Sequence, residues 1–329
     1  MTPIELIRES VSEKGKCLYQ FFDNYPFWEQ HCDIMLEKSI WRGKPSDWSL
    51  RFSDDICIKD IFRIANPSFC GKYAEAVSGG GQESQKIHTL HSSSLAALLL
   101  FQHISVKNPI RVPINGRRVS FTECHFEHKN QVSNEDSRNY SNVDIMLIDK
   151  EKKNILFLES KFSEYLTRES MAFSYTDYYM KMYDSISDTL NDLGIKHLKD
   201  KKVDKKGKEK EIIRLEIIEK NRPIYCEGIK QMISHYMGVL TEIGNGSFRD
   251  KNIYLGEILF DFGDWVPDAS DCLNSYKSAY ESLRIVLQKK AGTQFGVMAL
   301  MTWQDLLRDR SNSRYLETLE PEIKAYYRL

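Results

Sequence analysis

The chain has 329 residues, 41% of them hydrophobic and 28% charged, with a formal net charge of −1. That supplies a core for one elaborated domain or two smaller ones, and the overall charge balance does not advertise nucleic-acid binding. The longest apolar run is far too short to cross a membrane, the opening MTPIELIRES lacks the basic and apolar parts of a secretory signal, and the seven scattered cysteines read as reduced thiols, so a cytoplasmic protein without a disulfide framework is expected.

Residues 1–75 are rich in aromatics, among them Tyr19, Phe21, Phe22, Tyr25, Phe27, Trp28, Trp41 and Trp48, and are predicted to form a helical subdomain with those rings in its core. Residues 79–81 are three glycines, a flexible approach to Glu83; no Lys-Ser/Thr follows at the spacing of a phosphate-binding loop. Residues 92–104 (SSSLAALLLFQHI) combine a serine cap with a strongly apolar helix. Residues 118–128 (RVSFTECHFEH) alternate polar and apolar positions, as in a strand with Val119, Phe121 and either Cys124 or Phe126 facing inward. Glu127, and more weakly Glu123, are candidates to lie near a site.

Residues 142–164 (NVDIMLIDKEKKNILFLESKFSE) carry the chemistry. Val143, Ile145, Met146, Leu147 and Ile148 form an apolar run interrupted by Asp144, residues 150–154 are turn-like, and Ile155, Leu156, Phe157 and Leu158 lead into Glu159-Ser160-Lys161, which together predict a β-hairpin. With a side-chain period of two, Glu159 and Lys161 share a face, while Ser160 points away and leaves its carbonyl free. A carboxylate and an ammonium at the end of a core strand need compensation, and a divalent metal provides it. Mg²⁺ takes oxygen ligands, here Asp144, Glu159, the Ser160 backbone carbonyl, water and a substrate phosphate oxygen, and it acidifies a bound water and neutralises transition-state charge. Lys161 has two roles open to it: orienting or helping to deprotonate the attacking water, or stabilising charge on the phosphate.

Residues 196–210 (KHLKDKKVDKKGKEK) are strongly basic, with Gly207 as a turn point. Their lysines Lys201, Lys202, Lys205, Lys206 and Lys208 are candidates for a DNA-gripping arm, against the commoner reading of a solvated charged loop; Arg111, Arg117, Arg118 and Lys129 are candidates for a second basic surface. Residues 225–242 space Ile229, Met232, Ile233, Tyr236, Met237 and Leu240 as the core face of a helix, with Gln231 and His235 one turn apart beside it. A strand over 251–262, a helix over 271–288 and a strand-like stretch over 296–301 follow. A zinc site from His88, His91, Cys124 and His128 is disfavoured, because no CxxC or HExxH unit anchors it.

Asp144 followed by Glu159-x-Lys161 resembles the signature of the PD-(D/E)xK nuclease superfamily, with Val143 where that family usually has proline. GGGQE at 79–83, HSSS at 91–94, NVDI at 142–145 and ESKFSEY at 159–165 are similar to a group of uncharacterised bacterial restriction-endonuclease-like proteins. The resemblance implies an α/β restriction-endonuclease-like core, a central mixed β-sheet flanked by helices, with N- and C-terminal helical additions. It divides the chain into a helical subdomain (1–75), a nuclease core (76–265) with a basic insertion at about 191–222, and a C-terminal α/β extension (266–329) packed on the core. It implies an Mg²⁺-dependent DNA endonuclease of restriction or anti-phage defence, with Mn²⁺ as a substitute ion, Asp144, Glu159 and Lys161 as catalytic residues, and a homodimer as an option. Glu83 enters as a further catalytic and metal-binding carboxylate from the first helix. Gln231 and His235 are similar to the Gln-x-x-x-Tyr signature of RecB-like nucleases, with histidine replacing tyrosine. RNA cleavage and DNA repair are alternatives within the fold; a non-catalytic nucleic-acid-binding module is the alternative of another class.

Overall fold

The computed structural model describes residues 34–41, 44–52, 57–78, 86–90, 92–132, 140–166, 173–176, 195–203, 207, 209–217, 226–266, 269–291 and 293–329. A hairpin, β1 (Ile34–Trp41) and β2 (Lys44–Phe52), precedes two short helices, α1 (Ile58–Ile61) and α2 (Phe69–Ala76). The expected N-terminal helices are thus met in α1 and α2, whereas residues 34–52 are strands; residues 1–33 lie outside the described residues. The alternation of Trp48, Leu50 and Phe52 with Ser49 and Arg51 is the period-two pattern that favours strand there.

Helix α3 (Ser93–Phe101) is capped as its sequence predicts, the Ser92 hydroxyl oxygen accepting the Leu95 N–H, and its residues from Ser94 onward are buried. Strand β3 (Ile110–Ile114) turns through Asn115 and Gly116, both at positive φ, into β4 (Arg117–Gln131). Asn-Gly is the pair that a two-residue hairpin turn requires, because both residues must adopt left-handed backbone. β5 (Tyr140–Asp149) and β6 (Asn154–Lys161) form the predicted hairpin. Asp149 ties its turn, accepting the N–H groups of Lys153 at 2.7 Å and Asn154 at 2.9 Å.

The basic insertion is a sheet rather than a loop. β7 (Phe173–Thr176), β8 (Ile195–Val203) and β9 (Glu209–Ile217) pair antiparallel in the order β7-β9-β8, with Gly207 at positive φ between the last two. Two of its register pairs set opposite charges side by side, Lys196 with Glu216 and Lys201 with Glu211, while Lys202 faces Lys210, so a sequence that reads as solvated loop is a strand pair with partly matched charges.

Helix α4 (Cys226–Gly244) leads to β10 (Asn252–Leu259), then α5 (Ala269–Lys290), β11 (Phe295–Val297), β12 (Met301–Thr302) and the helices α6 (Trp303–Arg308), α7 (Ser313–Thr318) and α8 (Pro321–Tyr326). The main sheet has seven strands in the order β11-β10-β6-β5-β4-β3, with β12 also on β10. β3 to β6 form an antiparallel meander, and β10 joins β6 in parallel after the α4 crossover. This mixed sheet flanked by helices is a restriction-endonuclease-like α/β core. One face of the sheet, with Ile145, Leu147, Leu156 and Leu158, packs on α3 and on Trp303, Leu307 and Tyr326. The other, with Val143, Ile155 and Phe157, packs on Ile233, Tyr236 and Met237 of α4 and Leu283 and Leu287 of α5. No helix among the described residues is long and apolar enough to cross a membrane.

Candidate active site

β5 and β6 pair from Ile148 opposite Ile155 to Ile145 opposite Leu158, and there their ladder stops. β6 continues beside β10, with Glu159 opposite Glu257 and Lys161 opposite Leu259. Asp144 fills the fork: its Oδ2 accepts the Ser160 N–H at 2.7 Å. The N–H and C=O of one strand residue leave by the same edge, so the Ser160 carbonyl also faces the Asp144 side, while the Lys161 carbonyl turns to β10 and accepts the Phe260 N–H at 3.0 Å. The Ser160 hydroxyl, on the opposite face, donates to the Ser93 carbonyl of α3.

Glu159 and Lys161 lie on the α4 face, 2% and 3% exposed. The Lys161 ammonium donates to Glu159 Oε1 at 2.5 Å, and His235 Nε2 donates to Oε2 at 2.8 Å, since an ionised carboxylate only accepts. His235 Nδ1 is hydrogen-bonded to the Ser141 hydroxyl of β5. His235 reaches these partners because α4 lies unusually close to the sheet three residues further on. A Cβ at Gly238 would come within 3.0 Å of the Asn130 Cβ and 3.3 Å of the Ser141 Cβ.

The electrostatics separate three carboxyls. Burial alone would raise Glu159, but the Lys161 ammonium and then His235 outweigh it and hold the group at about 2. Burial pushes Asp144 well above the ordinary carboxylate range, and Glu159 and Glu127 push it further, against Lys161 and the Ser160 N–H. Glu257 is fully buried and is raised by that burial to about 8, with Lys161 opposing. Among the described residues, neither of its oxygens has a hydrogen-bond partner of ordinary geometry, although the Tyr276 hydroxyl lies near enough to act on it.

The expected residues divide accordingly. Asp144, Glu159, the Ser160 carbonyl, Lys161 and His235 converge on the fork. Gln231 is partly buried and makes no hydrogen bond to them among the described residues. Glu83 and His91 lie outside the described residues, as do Lys205, Lys206 and Lys208. Lys201 is ion-paired with Glu209 at 3.1 Å. Lys202 is paired through its backbone with Lys210. Glu127 is buried at positive φ beside Asp144, whereas Glu123 sits partly exposed, 3.8 Å from Lys152 and 3.9 Å from His125. Arg118 and Arg111 are committed to the C-terminal segment, to Asp309 and to the Ser311 carbonyl, each at 2.7 Å. Ser141, Gly238 and Glu257 escape the sequence reading: a serine and a glycine inside apolar elements carry no pattern, and the lone glutamate in YLGEILF was the one available signal.

Among the described residues, no three His, Cys, Asp or Glu side chains are grouped so as to hold a metal ion. What the fork offers is an open, all-oxygen set of two carboxylates and one carbonyl. The fold, a mixed sheet flanked by helices, is consistent with a nuclease-like protein. The family described as Restriction Endonuclease associating with ARP matches residues 64–214, a stretch that includes Asp144, Glu159 and Lys161 and ends before α4 and β10. No curated protein and no solved structure matches the chain.

Proposed function

We propose that the protein is an Mg²⁺-dependent endonuclease that hydrolyses DNA phosphodiester bonds, in a cytoplasmic setting of restriction or anti-phage defence. The observation that carries this reading is the fork itself. Asp144 and Glu159 meet where β5 and β6 part, the Ser160 carbonyl faces the same side, and Lys161 follows two residues on. Hard oxygen donors in an open set suit Mg²⁺, which is typically held by one or two carboxylates and completes its shell with water and substrate phosphate. Asp144, Glu159 and the Ser160 carbonyl would hold it, with Glu83 as a further carboxylate; bound there, it would supply an acidified water and neutralise charge on the phosphate.

The protein's own groups do the rest. The high proton affinity of Asp144 reflects its burial first and then crowding by Glu159 and Glu127, a condition that a bound cation would relieve. His235, fixed by Ser141, orients Glu159. Lys161 supplies a positive charge beside the scissile phosphate or orients the attacking water. Gln231 and the lysines at 201, 202, 205, 206 and 208 are proposed contacts to the DNA backbone, and a two-fold dimer would pair two sites for double-strand cleavage. The association with ARP in the matched family's description is carried over as a proposed partnership.

A specific observation favours a second reading. Glu159 already has both oxygens engaged, which suits a buried ion network in a non-catalytic nucleic-acid-binding module. Cleavage of supercoiled, linear and single-stranded DNA, with an RNA control, decides between them when run with Mg²⁺, Mn²⁺ or EDTA. Metal-dependent cutting lost in both Asp144→Ala and Lys161→Ala is the expected result. Preferential cutting of RNA would move the substrate, and a folded protein that neither cuts nor gains thermal stability from Mn²⁺ would favour the binding module.

A further inference from the structure

The nuclease reading, on which this inference rests, leaves Glu159 with a conflict. It is the carboxylate offered to a divalent cation, yet Lys161 holds one of its oxygens at 2.5 Å. Lys161 is 3% exposed, so an ammonium released from Glu159 stays in a buried setting and needs another carboxyl within reach, one that ionises as the ammonium arrives. β10 carries one. Glu257 lies in direct register with Glu159 on a parallel neighbouring strand, which puts both side chains on the α4 and α5 face of the sheet. It is 0% exposed, and neither oxygen has a hydrogen-bond partner of ordinary geometry among the described residues. A fully buried carboxylate is rarely left in that condition without a use for it.

We propose that Glu257 is a positioning residue, the second berth of Lys161: the ammonium leaves Glu159 for Glu257 when Glu159 takes a divalent cation. The exchange keeps the ammonium paired throughout and frees Glu159 Oε1 for the cation. It also fixes where Lys161 stands during cleavage, on the β10 side of the fork and opposite Asp144. His235 stays on Glu159 Oε2 in both arrangements, so the carboxylate keeps its orientation while its other oxygen changes partner.

The test is Mn²⁺ binding to the full chain by isothermal titration calorimetry, with circular dichroism melts to establish that each variant is folded. Glu257→Gln should weaken Mn²⁺ binding about 10–100-fold, the usual loss when a residue supporting a metal ligand is removed. Glu257→Asp, which keeps the charge, should recover part of that loss. Lys161→Met removes the competitor, so it should bind at least as tightly as wild type, and adding Glu257→Gln to it should cost nothing more. Wild-type affinity in Glu257→Gln overturns the proposal, as does an equal loss in the presence and absence of Lys161, which would make Glu257 a ligand in its own right. Failure of the underlying reading looks different: wild type then neither binds Mn²⁺ nor cuts, and both ideas fall together.

Discussion

The two faces of the central sheet are built from the same strands and do opposite things. On the α3 face, Leu156 and Leu158 of β6 meet a helix whose buried side chains are almost all apolar. On the α4 face, Phe157 is followed by Glu159 and Lys161, and a buried polar seam runs from Ser141 through His235 to Glu159, Lys161 and Glu257. One face stores stability and the other stores charge. Because alternate residues of one strand serve both, a rigid apolar side holds the polar side in register.

The contrast is most directly broken on the apolar face. Leu98→Ala removes a fully buried side chain from α3 and should lower unfolding free energy by about 2–5 kcal/mol in urea titrations, while any residual folded protein keeps its metal affinity. On the polar face, His235→Ala should reduce cleavage or Mn²⁺ affinity about 10–100-fold, because Glu159 loses the group that orients it. Equal losses of stability from these two substitutions, with no selective effect on metal, would erase the division. Gly238→Ala tests the mechanical link between them: the new methyl would meet Asn130 and Ser141, lift α4, and cost about 1–3 kcal/mol together with part of the metal affinity.

Acidity gives a subtler measure. Glu257 is raised from 4.5 to about 8, so the folded protein retains a proton that the unfolded chain has lost between those values. Wild-type stability should therefore decline as pH rises through that window and level off above it. Glu257→Gln lacks the decline, and its advantage in thermal melts should grow from pH 5 to pH 9, reaching roughly 1–3 kcal/mol, the cost of a buried group left unpaired. Glu159 runs the other way: held at about 2, it contributes stability above its ordinary value that is lost as pH falls towards 2. Smallest of all is Lys201→Ala. Its exposed pair with Glu209 should change stability by less than about 1 kcal/mol, and the readout is the salt dependence of DNA binding.

The sequence made the fork legible because two apolar runs converge on charges that no core strand carries without reason. α3 was legible from its serine cap, and α4 from helical spacing. Elsewhere the same reasoning had less to hold. Aromatic richness in residues 1–75 points to a core without setting a period and drew attention from the alternation at Trp48, Leu50 and Phe52, and the basic run of β8 hid a partner strand whose acids Glu211 and Glu216 lie further along the chain. β3 was missed despite its Asn-Gly turn. Glu257 shows the deepest difficulty: its meaning comes from register with Glu159 across a parallel crossover, and nothing local announces which residues two strands will set side by side.

The Tyr326 hydroxyl donates to the Leu90 carbonyl across 236 residues of chain, and Tyr315 to Leu100 across 215. During synthesis, then, the sheet-facing side of α3 can be covered once β5 and β6 have emerged, while the end that meets Tyr315 waits for a residue 215 positions further on. A product terminated before α6 would leave part of that apolar surface exposed, the condition that favours aggregation and proteolysis. The C-terminal helices are thus the closing piece of the core, the last of these segments made and the one that ties α3 down.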